Sequence, residues 1–136
     1  MRGKAVIVHS LEQAEAAVAV AAEHGAPLTL LSAEGAACFA GGLWFRELVA
    51  LAGARHPEVE VTAILDCADR PGDVLAGLRL GLKLLRFSGS AATAQALAPI
   101  AEAQGAHLLT KRIEALDLLD QADPAAACRA WLGEAR

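Results

Sequence analysis

Tyrosine is absent from this 136-residue chain, which has only two Trp, three Phe and one Met. A core built on stacked aromatics is therefore excluded; Leu, Val and Ile must fill it, with helices packed closely through Ala and Gly. Cysteine is scarce as well. Cys38, Cys67 and Cys128 are odd in number, widely spaced and without a CxxC pair, which excludes a disulfide framework and points to reduced thiols in the cytoplasm. A basic excess is missing: 12 Lys and Arg stand against 16 Asp and Glu, for a net charge of −4 and a pI near 5.5. That balance argues against nucleic acid and anionic membranes as partners, which need clustered cations. No apolar run reaches the roughly 18 residues of a membrane span. Ala14 to Ala22 is interrupted by Glu15 and bracketed by Glu12 and Glu23, and Met1 to Ser10 is too short for a signal peptide. The chain reads as cytoplasmic, without a membrane segment.

What is present is an alternation of short apolar runs and helical patterns over a length that suits one α/β domain, residues 1–136. Lys4 to Val8 suits a buried parallel strand. Ser10 caps a following helix with Gln13 three residues on, in a capping-box pattern, and that helix stops at Gly25 before Pro27. Pro27 to Leu31 is a second strand. Ser32 to Gly42 is a Gly- and Ala-rich loop holding a turn of helix. Leu43 to about Arg55 is an amphipathic helix burying Leu48, Leu51 and Ala52, with Arg46 and Glu47 outward. Strands at Val59 to Leu65, Lys83 to Phe87 and Ala106 to Thr110 alternate with helices at Asp73 to Leu80 and Ala91 to Gln104. Asp123-Pro124 opens a last helix to about Glu134, burying Ala127, Trp131 and Leu132. The expected fold is a five-stranded parallel sheet with flanking helices. Its winding is either that of half a (β/α)8 barrel or a flavodoxin-like order 2-1-3-4-5.

Such a fold gathers chemistry at the C-terminal ends of its strands. The strand-end residues are His9, Ser32, Asp66, Cys67, Ser88, Ser90 and Lys111. Cys67, His9 and Asp66 suit nucleophilic catalysis if they converge and the thiolate is stabilised; otherwise Cys67 is a small buried hydrophobe and His9 a hydrogen-bonded loop residue. Ser32, Gly35, Ser88 and Ser90 are candidate ligand-binding positions, with Gly35, Gly41 and Gly42 able to line an anion site or simply to pack. Lys111, beside Arg112, reads as a solvated cation.

Val61 to Ser90 resembles the middle of the class II, metal-dependent fructose-bisphosphate aldolases. There the strand matching Ile64-Leu65-Asp66-Cys67 ends in His-Leu-Asp-His, and the one matching Ser88-Gly89-Ser90 ends in Asp-Gly-Ser. The likeness reaches back to Leu11-Glu12-Gln13-Ala14 and to Leu31-Ser32-Ala33-Glu34-Gly35-Ala36-Ala37 with Phe39-Ala40-Gly41-Gly42, the loop in which the family's Ser helps hold substrate. The resemblance implies a barrel-derived scaffold and gives Asp66 the position of the proton-transferring Asp. It also implies a lost metal site. Cys67 stands where the family has a metal-binding His, Ile64 replaces the first His, and Ser88 replaces the Asp. A full barrel needs about 250 residues, so the chain reads as a truncated, degenerate member, with no metal and no cofactor.

Two functions remain open at this point. One is a non-catalytic, aldolase-derived module that binds a small anionic or phosphorylated ligand, or a protein partner, at the rim. The other is a metal-independent lyase or other enzyme using Asp66 and Cys67. Open sheet edges, with the apolar Leu43-Trp44-Phe45 and Trp131 surfaces, point to a homodimer.

Overall fold

The computed structural model describes residues 3–133. Strands β1 (Lys4–Val8), β2 (Leu28–Ser32), β3 (Val61–Asp66), β4 (Leu84–Arg86), β5 (His107–Leu109) and β6 (Ala115–Asp117) are joined by six helices. These are α1 (Leu11–His24), α2 (Ala36–Phe39), α3 (Gly42–Ala54), α4 (Pro71–Arg79), α5 (Ala91–Ala103) and α6 (Pro124–Gly133). The expected helix end near Glu134 falls outside the described residues. None of these helices is long and apolar enough to cross a membrane.

The result is an α/β fold whose sheet has six strands, not five, in the order β5-β4-β3-β2-β1-β6. The pairs β1–β6, β3–β4 and β4–β5 are parallel. Strands β1 to β5 follow one another across the sheet, which overturns the flavodoxin-like order; there β1 would lie between β2 and β3. The sixth strand is the element the sequence hid. It is three residues long and sits between Glu114 and Leu118, too short for any alternation to register. It is held by register with β1, Ala5 opposite Ala115 and Ile7 opposite Asp117.

The described residues divide into two compact units. The first comprises residues 3–31, 47–62 and 113–133. Its core is the Ala face of α1 (Ala14, Ala17, Ala21, all buried) with the buried Cys128 of α6. Small residues let these two helices approach closely. Arg129 closes the same pair of helices with two hydrogen bonds to Glu23, Nε at 3.1 Å and Nη2 at 3.3 Å. The guanidinium holds the Glu23 carboxyl below its ordinary range. Trp131 donates its indole N–H to the Ala5 carbonyl at 3.0 Å, and the Lys4 ammonium lies 4.7 Å from its ring centre.

The second unit comprises residues 32–46 and 63–112. Here α4 lies tightly on the sheet because Gly77 has no side chain. A Cβ there would sit 2.6 Å from Leu85 Cδ2 and 3.2 Å from Leu65 Cδ2. This helix begins at Pro71, two residues before the expected start at Asp73. Pro at the first helical position has its φ already set, and Asp73 falls in the first turn, where its carboxylate accepts from Arg70 Nε at 3.0 Å.

Two burial expectations for α3 are corrected. Leu51 is 58% exposed, since the buried stripe runs through Phe45, Leu48 and Ala52 and is narrower than the apolar pattern. Phe45 is fully buried, so it contributes to the core rather than to a partner surface, while Leu43 is half exposed.

Candidate functional site

In the second unit the C-terminal ends of β3, β4 and β5 are tied by one charge. Asp66 ends β3 and is 5% exposed. Its Oδ1 accepts the Ala68 N–H at 2.8 Å, an Asx turn that draws Ala68 into the left-handed region at φ +51°. Its Oδ2 accepts from Arg86 Nη1 at 3.3 Å, with the two side chains 6% and 15% exposed. The same guanidinium donates through Nε to the Lys111 carbonyl at 3.1 Å. Arg86 thus ties the Asp66 carboxylate to the chain just past β5. The Asp66 backbone N–H donates to Ser32 Oγ at 2.8 Å. Ser32 is 1% exposed, so its hydroxyl braces β3 rather than opening to solvent.

Cys67 follows Asp66 and is fully buried. Burial, then the carboxylates of Asp73 and Asp66, push its thiol up to about 12. At neutral pH it is a neutral thiol with no solvent access, and Sγ contacts the Leu65 carbonyl at 3.9 Å. A nucleophile needs the thiolate. Gly35 is buried in the left-handed conformation ahead of the single-turn α2. Its positive φ is the reason for glycine there.

His9 belongs to the first unit. Its Nε2 lies 2.7 Å from Asp117 Oδ1 at the end of β6, and its backbone N–H donates to Gln13 Oε1 at 2.7 Å. Ser10 caps α1 by accepting the Gln13 N–H at 3.2 Å, as the capping pattern implies. The reciprocal bond from Gln13, however, reaches His9 rather than Ser10. Gln13 also donates to the Leu118 carbonyl at 3.1 Å. The ring partner of His9 is therefore Asp117, in a strand the sequence did not reveal. The strand order puts β2 between the strands of His9 and Asp66.

Ser88 and Ser90 stand at the start of α5 beside an open cleft of about 550 Å³. Ser88, Gly89 and Thr110 form its polar end, and Ala94, Gln95 and Leu108 carry it along the helix and strand. Ser88 is exposed, and its N–H donates to the Ala68 carbonyl at 2.8 Å. Ser90 is the N-cap: its Oγ accepts the Thr93 N–H at 3.2 Å and donates to Thr93 Oγ1 at 2.9 Å. Lys111 and Arg112, just past Thr110, are exposed.

Arg86 and Asp117 were not singled out from sequence. The signal for Arg86 was available: an arginine inside Leu84-Leu85-Arg86-Phe87 must find a carboxylate if the strand is buried. Among the described residues no three His, Cys, Asp or Glu are grouped to hold a metal ion.

No protein-family model matches the chain. Among curated proteins the chain is similar to the plasmid fructose-bisphosphate aldolase of Cupriavidus necator, with 30% identity over 83 residues. The match takes in 61% of this chain and 24% of that protein. The chain therefore corresponds to about a quarter of the relative it matches.

Proposed function

We propose that this chain is an aldolase-derived domain of class II descent that no longer catalyses and that binds a small anionic ligand at the C-terminal rim of its second unit. The observation that carries the reading is the closure of Asp66. In the position that the resemblance gives to a proton-transferring carboxylate, this Asp is 5% exposed and held by Arg86 and the Ala68 N–H. A general base must reach a substrate proton within hydrogen-bond distance. The buried neutral thiol of Cys67 argues the same way against the metal-independent lyase.

Charge and space support ligand binding. The second unit carries seven Lys and Arg against five Asp and Glu, a net +2 within a chain of net −4. Its cleft of about 550 Å³ lies within the usual range of small-ligand sites. The exposed Lys111 and Arg112, the Ser88 hydroxyl and the two first-turn N–H groups of α5 that no cap satisfies favour an anion at the Ser88 end. The consecutive order of β1 to β5 is that of neighbouring strands in a (β/α)8 barrel, which supports a half-barrel origin. Self-association as a homodimer belongs to the same proposal, with the half-exposed Leu43 and neighbouring Trp44 as the surface.

The test is a carbon–carbon cleavage assay on fructose 1,6-bisphosphate, run with and without added zinc or cobalt. No turnover under either condition is expected. Turnover above the uncatalysed rate, lost in Asp66→Ala, would overturn the non-catalytic reading.

A further inference from the structure

The chemistry of the cleft changes along its length. Ser88 and Thr110, whose hydroxyls can hydrogen-bond an anionic head, stand at one end. Beyond them the lining is Ala91, Ala94 and Ala98 of α5, Leu108 of β5 and the buried ring of Phe87, with Gln95 as its one side-chain amide. None of the lining residues is charged, and from Ser88 to Gln104 the sequence holds a single ionisable side chain, Glu102. The stretch from Ala91 to Ala98 covers about 10 Å of helix axis at about 1.5 Å per residue. Hydroxyls on a ligand body lying there would exchange water for alkyl groups without gaining partners, which is unfavourable. Hydrocarbon gains by the same move. A second anionic group would find no cation along that wall.

We infer that the anion taken by this cleft is amphipathic, one anionic head on a hydrocarbon body, such as an alkyl carboxylate or alkyl phosphate, rather than a sugar phosphate or a bisphosphate. The inference rests on the anion-binding reading and adds the chemistry of the ligand's body. The head lies at Ser88 and Thr110, next in sequence to the exposed Lys111 and Arg112, and the chain runs along α5 toward Ala98. A methylene fully removed from water is worth about fourfold in affinity. In an open cleft one side of the chain stays wet, so about twofold per methylene is expected.

Butyrate, hexanoate and octanoate share the carboxylate and lengthen the body by two methylenes at each step. Gluconate has the carbon count of hexanoate with a hydroxyl on every carbon beyond the carboxylate. Each is titrated into the ¹⁵N-labelled chain, with inorganic phosphate as the bare anion, and shifts of the Ser88 to Ala98 amides give the dissociation constants. Affinity should rise about fourfold at each step of the alkyl series, while gluconate binds no tighter than butyrate. Ala94→Gln puts a longer polar side chain into the wall and keeps a good helix former. The rise with chain length should flatten there while the phosphate response at Ser88 persists. Ala98→Gln, farther from the head, should weaken octanoate and leave butyrate unchanged. Affinity that ignores chain length, gluconate as tight as hexanoate, or a rise that survives both substitutions overturns the amphipathic ligand, and a retained phosphate response then leaves anion binding intact. No response to any acid or to phosphate overturns the anion-binding reading and this inference with it.

Discussion

Replacing Arg86 by Leu leaves the Asp66 carboxylate, a side chain 6% exposed, without its ion-pair partner. The Ala68 N–H still reaches Oδ1 at 2.8 Å, but one neutral donor does not offset an enclosed charge. Breaking a buried pair from one side costs about 3–5 kcal/mol. The Arg86 Nε bond to the Lys111 carbonyl goes at the same time, which places the expected loss toward the upper half of that range. In Asp66→Asn with Arg86→Leu the charge is gone and an acceptor for Ala68 remains, so the double variant should lose only about 1–2 kcal/mol. The cycle then returns a coupling of at least about 2 kcal/mol. Urea unfolding monitored by circular dichroism measures it, provided the slope against denaturant stays constant. A loss below about 1 kcal/mol in Arg86→Leu, with additive single and double variants, would mean that the pair behaves as an exposed one. The closure of Asp66 would then lose its energetic basis.

Further expectations concern thiols, packing and assembly. Burial pushes the Cys67 thiol up to about 12 and that of Cys128 up to about 11, whereas unfolded thiols titrate near 8.5. Between those values the folded chain keeps protons that the unfolded chain has released. This contribution to stability is fully present below pH ~8.5 and is lost as pH rises toward the folded values, at up to ~1.4 kcal/mol per pH unit for each thiol. The fall in urea midpoint from pH 8 to 10.5 should shrink in Cys67→Ala; an unchanged fall would contradict the buried-thiol account. At pH 8 a thiol reagent should label exposed Cys38 first, and Cys67 labelled as fast would revive the lyase reading. A Cβ on Gly89 would overlap the buried Phe87 ring, so Gly89→Ala should cost about 1–3 kcal/mol by thermal melting, and a neutral result would show that the ring can move aside. Trp131→Ala should lower stability by about 3 kcal/mol without changing the oligomeric state, because its indole bonds Ala5 within the chain. Leu43→Asp should instead weaken a dimer at micromolar concentration by light scattering, and a wild-type chain that is monomeric throughout would remove the dimer.

The helices and the first five strands were legible because each carries a local signal. Ser10 and Gln13, Gly25 with Pro27, Ser90, and Asp123 with Pro124 mark boundaries that the folded chain uses. What stayed hidden depends on contacts distant in sequence. β6 exists because β1 offers it an edge, and Asp117 meets His9 across 108 residues. Asp66 was read correctly as a strand-end carboxylate, but its function turns on Arg86, twenty residues later, and no period or spacing joins the two. Cys67 shows the same limit from the other side: a thiol after a strand reads alike in either environment, and only burial decides whether it ionises.

The central claim is that the rim of the second unit binds an anion without chemistry. The most direct test is a phosphate titration of the ¹⁵N-labelled chain, followed amide by amide in proton–nitrogen correlation spectra. Saturable shifts concentrated at Ser88 to Ala91 and Thr110 to Arg112, weakened by added salt, are the predicted result. Shifts centred on His9 and Asp117, or no saturable shift anywhere, would contradict the account.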